Sequence, residues 1–457
     1  MQLAAKMLPG PAKILNIQFP EVMSDATPER MTDEVRTTRL PNGATVLTEH
    51  MPNLRSATVG IWVRRGSRHE RAEVNGICHF IEHAVFKGTG RRTALDIAVE
   101  SDRLGGHFDA YTTHELTGFS LKVVDAALPR AFDLLADMLL SPRFDAEDLE
   151  REQKVIIEEM KMVEDTPEEF LTEIFTAAYF PDHSLGRPIE GTAETVVTFD
   201  HERTAGHHAR LFAPPNLVIA AAGNVRHEQI VELAARAFGE APAAAPQAPP
   251  ADFDDAPPRA AAPIFVRRKK ELEQAHVLLA APWPSARDED RYAATLLASV
   301  IGGGTSSRLW QSVREERGLA YSVGCASSGF TDAGVLQVYA GTSPEHLDEV
   351  LGLFVAELRR AVREPVSDDE LRLAKDQYVS SILLGLESTS ARAEGLARQE
   401  IIHGRRLRPE EIIARVEAAT PEDLRRVARA RFQTDRLAFG ALGDLNGFKV
   451  NRSRLEM

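Results

Sequence analysis

Residues Gly76–Phe86 read GICHFIEHAVF, an apolar run into which His79, Glu82 and His83 are set in the order His-x-x-Glu-His. On an α-helix successive side chains turn by about 100°, so Glu82 and His83 fall on either side of His79 and the three polar groups share one face. Two imidazoles four residues apart can ligate one Zn2+, and a carboxylate beside them can hold and deprotonate the water that the metal activates. That pattern points to metal-assisted hydrolysis. The same residues would also suit a helix with two half-buried His and a solvated Glu. With 14 His in 457 residues, chance gives the pattern on the order of a few per cent of the time. A third ligand separates the two readings, because catalytic zinc takes three protein ligands and one water.

A buried carboxylate needs a partner, so the third ligand is sought where an acidic residue interrupts an apolar helical stripe. Phe144–Pro167, FDAEDLEREQKVIIEEMKMVEDTP, offers this. Asp145 stands at the N-cap, acidic residues fill the first turn, and Pro167 follows the end. Leu149, Ile156, Met160 and Val163 recur at helical spacing; Glu152 and Glu159 fall inside their stripe, seven residues apart, while Glu158 points away. Both carboxylates could instead pair with Lys154 and Lys161 on a polar helix. Beside the His motif, Glu159 is favoured as the ligand and Glu152 as a carboxylate that orients a His.

The reversed His-x-x-Glu-His order is the inverzincin signature, and with it the chain resembles the pitrilysin family, most of all the mitochondrial processing peptidase group and its bacterial relatives. RLPNGATVLTEH, GSRHE, HFIEHAVFKGT, GGHFDAYTTHELTGF, VIIEEM, PPNLVIAAAGN and GGGTSSRLWQSVREERGLAYSV follow in that family's order, so the likeness runs from Arg36 to about Asp444. It implies that His79, His83 and Glu159 bind one zinc and that Glu82 is the general base.

Composition is consistent with this. The net charge of −14 argues against a nucleic-acid partner and fits a chamber receptive to basic peptides, although most carboxylates are solvated surface. Cys78 and Cys325 lie in different halves, so no disulfide framework is expected and a reducing, cytoplasmic setting is the default. Cys78 should point off the His face into the core. No apolar run approaches the roughly 18 residues of a membrane span, so no membrane partner is expected. The N-terminus lacks a secretory pattern; family-like sequence begins near Arg36, and residues 1–30 read as an upstream misassignment of the start at Met31.

Between residues 241 and 262 the chain turns rich in Pro and Ala with no periodic core face, as a semi-rigid spacer does. The expected organisation is a tail (1–34), a zinc-bearing domain (35–240), the linker (241–262), a metal-less repeat (263–446) and a C-terminal tail (447–457). The halves resemble each other: PPNLVIAAAGNV matches TDRLAFGALGDL, setting Gly223 on Gly443, and FDAEDLEREQKV matches VSDDELRLAKDQ, setting Leu149 on Leu371. Both give nearly one offset, as a duplication would. Carried through, it places Ala294, Leu297 and Ala298 opposite His79, Glu82 and His83, and Ser381 opposite Glu159, so the second half cannot bind zinc there. Alternating stretches such as SATVGIWV and VLQVYAGT read as strands and the long amphipathic segments as helices. The fold class is α+β: two related domains, each a largely antiparallel sheet with helices packed on one side.

In SSRLWQSVREERGLAYSV, Arg314 and Tyr321 flank a Gly318 that ends a helix. By spacing alone this is a salt-bridged helix face followed by a core Tyr. The resemblance implies instead that both bind substrate and stabilise the tetrahedral oxyanion. Gly302, Gly303 and Gly304 form a weak motif that lacks the Lys of a phosphate cradle. In GGHFDAYTTHELTGFSLKV, Gly106 permits close backbone approach, and Phe108, Asp109, Ala110 and Thr112 alternate along an exposed edge strand that could pair with an extended peptide. An ordinary surface strand is the competing reading. Relatives often carry Asn where Asp109 stands, while His107 and His114 read as structural. Pitrilysin resembles two such chains fused, which implies that a second chain completes the chamber. A homodimer with Arg314 and Tyr321 offered in trans is expected, or a heterodimer with a related chain. The substrate class is peptide or unfolded protein. The contrasting readings are a noncatalytic subunit like the respiratory-complex core proteins, and a zinc-holding peptide scavenger.

Overall fold

The computed structural model describes residues 35–239, 257–445 and 447–457; the expected N-terminal tail and linker residues 241–256 lie outside them. Val35–Met457 forms one compact unit. The first half builds a six-stranded sheet from β1 (Val35–Arg39), β2 (Thr45–His50), β3 (Ser56–Val63), β4 (His107–Thr112), β5 (Thr117–Val124) and β6 (Leu217–Gly223), ordered β1-β2-β6-β3-β5-β4. The second half builds a five-stranded sheet from β7 (Ile264–Arg268), β8 (Ala275–Pro282), β9 (Ala320–Gly329), β10 (Gly334–Thr342) and β11 (Ala438–Gly443), ordered β7-β11-β8-β10-β9. In each, one pair is parallel, β2 with β6 and β7 with β11, and the remaining pairs are antiparallel.

Once β1 is set aside the two strand orders coincide, which is the duplication seen in three dimensions. Gly223 and Gly443 close equivalent strands with φ of 118° and 148°, and a Cβ there would lie 2.4 Å from the Ser56 carbonyl oxygen and 2.9 Å from that of Gln274. Only glycine meets both demands. Leu149 and Leu371 are buried on corresponding helices, Ala146–Asp165 and Asp368–Gly385. Ala294, Leu297 and Ala298 are core residues of Arg291–Gly302, the counterpart of the His-bearing helix Ile77–Ala84.

Each half packs its own helices on one side of its sheet, as the sequence leads one to expect. The other side is not left open. Along β6, Leu217, Ile219 and Ala221 face the first half's helices, whereas Val218, Ala220 and Ala222 face Ala393, Leu396 and Ala397 of the second half's helix Thr389–His403. The second sheet mirrors this. Val277 and Leu279 of β8 point to its own helices, and Leu278 and Ala280 meet Leu171, Phe175 and Tyr179 of the first half's helix Pro167–Tyr179. Each half thus lends one helix to the other, which is why β6 and β8 are buried along their whole length. At roughly 1.5–3 kcal/mol for each fully buried Leu or Phe, this exchange welds the halves.

Buried charge completes the join. Arg392, on the lent helix, donates to Glu49 of β2 through Nε at 2.9 Å, with both side chains almost wholly buried, and Arg406 reaches the same carboxylate at 3.1 Å. Arg68 binds Glu115 at 2.5 Å and Asp332 at 2.9 Å, while Glu115 accepts from the Thr331 backbone and hydroxyl. The C-terminal residues, expected as a tail, are packed: Leu455 is fully buried in the second core, and Arg452 donates to the Ala262 carbonyl. Residues 257–262 have no regular secondary structure.

Removing one member of a buried pair strands the other, so Arg392→Leu is expected to cost about 3 kcal/mol in urea unfolding, the low end of the usual range because Arg406 remains. The Glu49→Leu/Arg392→Leu double substitution should recover part of that loss; a strictly additive double variant would show that the two charges are not coupled.

Candidate metal centre

The helix Ile77–Ala84 is only eight residues long and begins at Gly76 with φ of 94° and no capping side chain of its own. Its N-terminal amides are met from upstream. The fully buried Glu70 carboxylate accepts from the Gly76 and Cys78 backbone N–H groups at 2.7 and 2.8 Å and from the Asn75 side chain at 3.1 Å. A carboxylate at this end answers both the unsatisfied N–H groups and the helix dipole. Ile77, Cys78, Phe80, Ile81 and Ala84 fill the core, Cys78 among them as expected, leaving His79, Glu82 and His83 on the face toward the helix Ala146–Asp165. Asp145 is the N-cap of that second helix, but its carboxylate pairs with Arg143 rather than capping.

There the ligand atoms of His79, His83 and Glu159 lie within 4.8 Å of one another. His83 Nε2 is 3.6 Å from Glu159 Oε2, and the two imidazole centroids are 4.6 Å apart. Tetrahedral ligands at zinc distances are separated by about 3.4 Å, so the side chains stand close to the spacing a metal requires. The chemistry of the donors agrees. Burial, then the neighbouring His83, lowers His79 to about 4, so its ring is neutral with a lone pair to give, and His79 Nδ1 is buried without a hydrogen-bond partner. Two nitrogens and one carboxylate oxygen are a zinc donor set; the residues fit the ion.

Around this triad lie supports the sequence reading found only in part. Glu152 is buried and accepts from His83 Nδ1 at 3.3 Å, as expected; Lys87 Nζ binds its other oxygen at 2.7 Å. Burial would raise Glu152, but His83 and Lys87 outweigh it and hold the carboxyl low. For His83, burial pulls downward, and Glu152, Glu159 and Glu82 carry the net shift upward. Glu82 is raised, chiefly by burial. Its Oε2 accepts from the Thr112 hydroxyl at 2.6 Å. Lys87, one turn beyond His83, had a legible signal in its spacing; Thr112, read in the sequence as an edge-strand contact for a peptide, spends its hydroxyl on Glu82 instead, and Glu70 had no signal beyond its residue type.

β4 is an edge strand, paired only with β5 among the described residues. Phe108, Ala110 and Thr112 share one face: Phe108 meets Phe86 edge-on at 4.9 Å, Ala110 packs on the core and Thr112 reaches Glu82, while Tyr111 on the other face donates to Glu394. Asp109 is exposed. Gly106 is required, since a Cβ there would lie 2.0 Å from the Lys122 carbonyl oxygen. His114 is tied to Ser67 and lowered to about 4 by burial.

Arg314 and Tyr321 come together with each other but, among the described residues, share no hydrogen bond, ion pair or ring contact with the triad. A π-helical turn, Trp310–Glu315, carries Arg314, and Gly318 follows with φ of 61°. The guanidinium lies 4.2 Å from the Trp310 ring and 4.6 Å from the Tyr321 ring and donates to the Tyr321 carbonyl at 2.7 Å. The Tyr321 side chain is 78% exposed.

Residues 45–193 match the family described as insulinase (peptidase family M16), and residues 198–378 match the peptidase M16 inactive domain. An uncharacterized zinc protease of Streptomyces coelicolor is 41% identical over 400 residues, covering 86% of each chain. A protease from Helicobacter pylori has the same fold, with a TM-score of 0.82 at 22% identity over 90% of this chain and 99% of its own. A Pseudomonas fluorescens structure described as a peptidase M16 inactive domain aligns with a TM-score of 0.83 at 20% identity, over 91% and 100% of the two chains.

Carboxylates that orient a ligating His contribute about 10–100-fold to metal affinity. Glu152→Gln is therefore expected to weaken zinc binding by that factor in competition with a chelating dye. Unchanged affinity would remove Glu152 from the site.

Proposed function

The chain belongs to the M16 peptidase family, the insulinase or pitrilysin-type enzymes, and from that premise we propose that it is a zinc metalloendopeptidase acting on unfolded peptides or short protein extensions. The observation that carries the reading is the convergence of His79, His83 and Glu159 within 4.8 Å, with the Glu82 carboxylate on the same helical face. Zinc held by these three residues would polarise the scissile carbonyl and make water acidic enough to lose a proton near neutral pH. Glu82 takes that proton and passes it to the leaving amine. Its upward shift suits both halves of the task, since a base matched to the operating pH also returns its proton readily. Thr112 holds one carboxylate oxygen, which leaves the other for the water. Glu152, neutralised by Lys87, sets the His83 ring.

The open side of β4 offers main-chain groups to an extended peptide, which favours register over side-chain identity. Beside it a cleft of about 510 Å3 is lined by Glu168, Glu169, Glu173 and Glu190. Glu173 is raised by burial and by the charges of Glu190 and Glu164, and against the four carboxylates the lining includes one arginine, Arg187, a balance that favours basic substrate residues. Arg314 and Tyr321, remote in their contacts from the triad, are proposed to reach a second chain's metal centre in a homodimer, or in a heterodimer with a related chain. The free thiols Cys78 and Cys325 suit a reducing, cytoplasmic setting. No helix among the described residues is long and apolar enough to cross a membrane.

Purified protein is expected to cleave a quenched, Arg-containing peptide, with the activity lost to a chelator and reduced about 10²–10⁴-fold in Glu82→Gln. No turnover by zinc-loaded wild type would favour a noncatalytic subunit. Separately, mixing Glu82→Gln chains with Tyr321→Phe chains should restore activity through one intact site per dimer; two inactive parents that stay inactive when mixed count against action in trans.

A further inference from the structure

The acidic cleft has a counterpart of opposite sign. In the first half the lent helix Pro167–Tyr179 supplies Glu168, Glu169 and Glu173 to the cleft. In the second half, the lent helix Thr389–His403 lines a cleft of about 350 Å3 whose apolar walls include Trp283, Tyr292 and Tyr378. Through Ile402, His403 and Leu407 this cleft continues into a hollow bordered by Arg64, Arg287 and Arg405. Five arginines line the two, Arg291 and Arg398 being the others, against the carboxylates of Glu289 and Glu400, in a chain whose net charge is −14. His403 lies at the centre, and burial together with Arg291, Arg287, Arg405 and Arg398 keeps its imidazole below the ordinary value.

Carboxylates near the cleft are already engaged. Glu400 accepts from Arg64, Glu411 binds Arg405, and Asp288 and Asp290 bind Arg431 and Arg426. Glu394, one turn before Arg398, receives the Tyr111 hydroxyl. Glu289 lies 3.6 Å from Arg415 and 3.9 Å from Arg291, and Arg291 donates to the Asp288 carbonyl and the Tyr292 hydroxyl. Among the described residues no carboxylate comes within ion-pair distance of Arg287 or Arg398. The simpler account is that arginines gather where a helix ends, at the negative pole of its dipole. That covers Arg287, whose Nε donates to the Ile402 carbonyl, but not Arg398, whose guanidinium makes no hydrogen bond among the described residues, nor the aromatic wall.

We propose that this cleft is an anion-recognition site that takes a carboxylate of a bound peptide, its free C-terminus or an acidic side chain. Guanidinium forks match a carboxylate with two parallel hydrogen bonds, and the adjoining Trp283, Tyr292 and Tyr378 accommodate an apolar neighbour. Inorganic phosphate shares the oxyanion chemistry. The inference deepens the peptidase reading, on which it rests for the peptide nature of the ligand. With the acidic cleft in the first half, it defines a substrate class: peptides that carry a basic segment and an anionic end.

The test is isothermal titration of the full chain, zinc-loaded and carrying Glu82→Gln so that nothing is turned over. The ligands are a peptide ending in Glu-Glu with a free carboxylate, the same peptide ending in Gln-Gln amide, and inorganic phosphate. The acidic peptide is expected to bind on the order of tenfold more tightly than the amide, and Arg287→Gln/Arg398→Gln to erase that preference while leaving the protein folded, with the amide's affinity unchanged; Arg398→Gln alone, which removes no hydrogen bond among the described residues, should weaken the preference without lowering the melting temperature. A preference that survives the double substitution, or no preference and no phosphate binding, overturns the site. Phosphate binding that the substitutions abolish, without discrimination between the peptides, overturns the peptide as its ligand. Because binding is read on a variant that does not turn over, a failure of wild type to hydrolyse peptides would sink the peptidase reading by a separate measurement.

Discussion

The exchange of one helix between the halves is the constraint from which the rest follows. A sheet covered on one side only would leave Val218, Ala220 and Ala222, or Leu278 and Ala280, facing water. Each half solves this with the other's helix, so neither sheet has a complete core by itself. The candidate metal centre inherits this rigidity. The helix that carries Glu159 runs directly into the lent helix at Thr166, and β4, which carries Thr112, is tied across the join through Tyr111 and Glu394. Thus the metal-less half supports the geometry of the half that bears the donors.

The second constraint is charge in places that burial makes costly. Glu70, Glu82 and Glu152 are all buried, and each is held differently: Glu70 by backbone amides, Glu152 by Lys87 and His83, Glu82 by one hydroxyl. The least compensated of the three is the one to which the proton is assigned. A carboxylate well paired with cations would be a poor base, whereas one raised by burial and fixed in orientation by Thr112 keeps both oxygens defined and its affinity for a proton high. Duplication then let the halves diverge at a common scaffold. Where His79 and His83 stand in one, Ala294 and Ala298 pack as core in the other, and glutamates line the cleft beside one lent helix while arginines line the cleft beside the other.

Much of this could be read before the fold was known. The His-x-x-Glu-His face is visible because helical period alone puts three residues within five positions on one side, and Glu159 with Glu152 because a seven-residue interval breaks an apolar stripe. Their meeting is not visible, nor is the 2.6 Å bond from Thr112 to Glu82, which joins a strand end to a helix thirty residues away in sequence. β4 was legible as an edge, but which side chains faced Glu82 depended on its pairing with β5. The C-terminal residues looked like a tail since one Leu among polar neighbours carries no periodic signal, yet Leu455 fills the second core.

By itself, the sequence determined the donor types, the local helical faces, the two-fold repetition and the loss of ligands in one copy, because these depend on residue identity and on periods of a few residues. Tertiary structure decided which sheet face each helix covers, how Lys87 and Glu70 support the His helix, and where Arg314 and Tyr321 lie relative to the donors. Those outcomes depend on contacts between segments distant in sequence, whose energies come from shared burial and from charges that find partners only when the chain is compact.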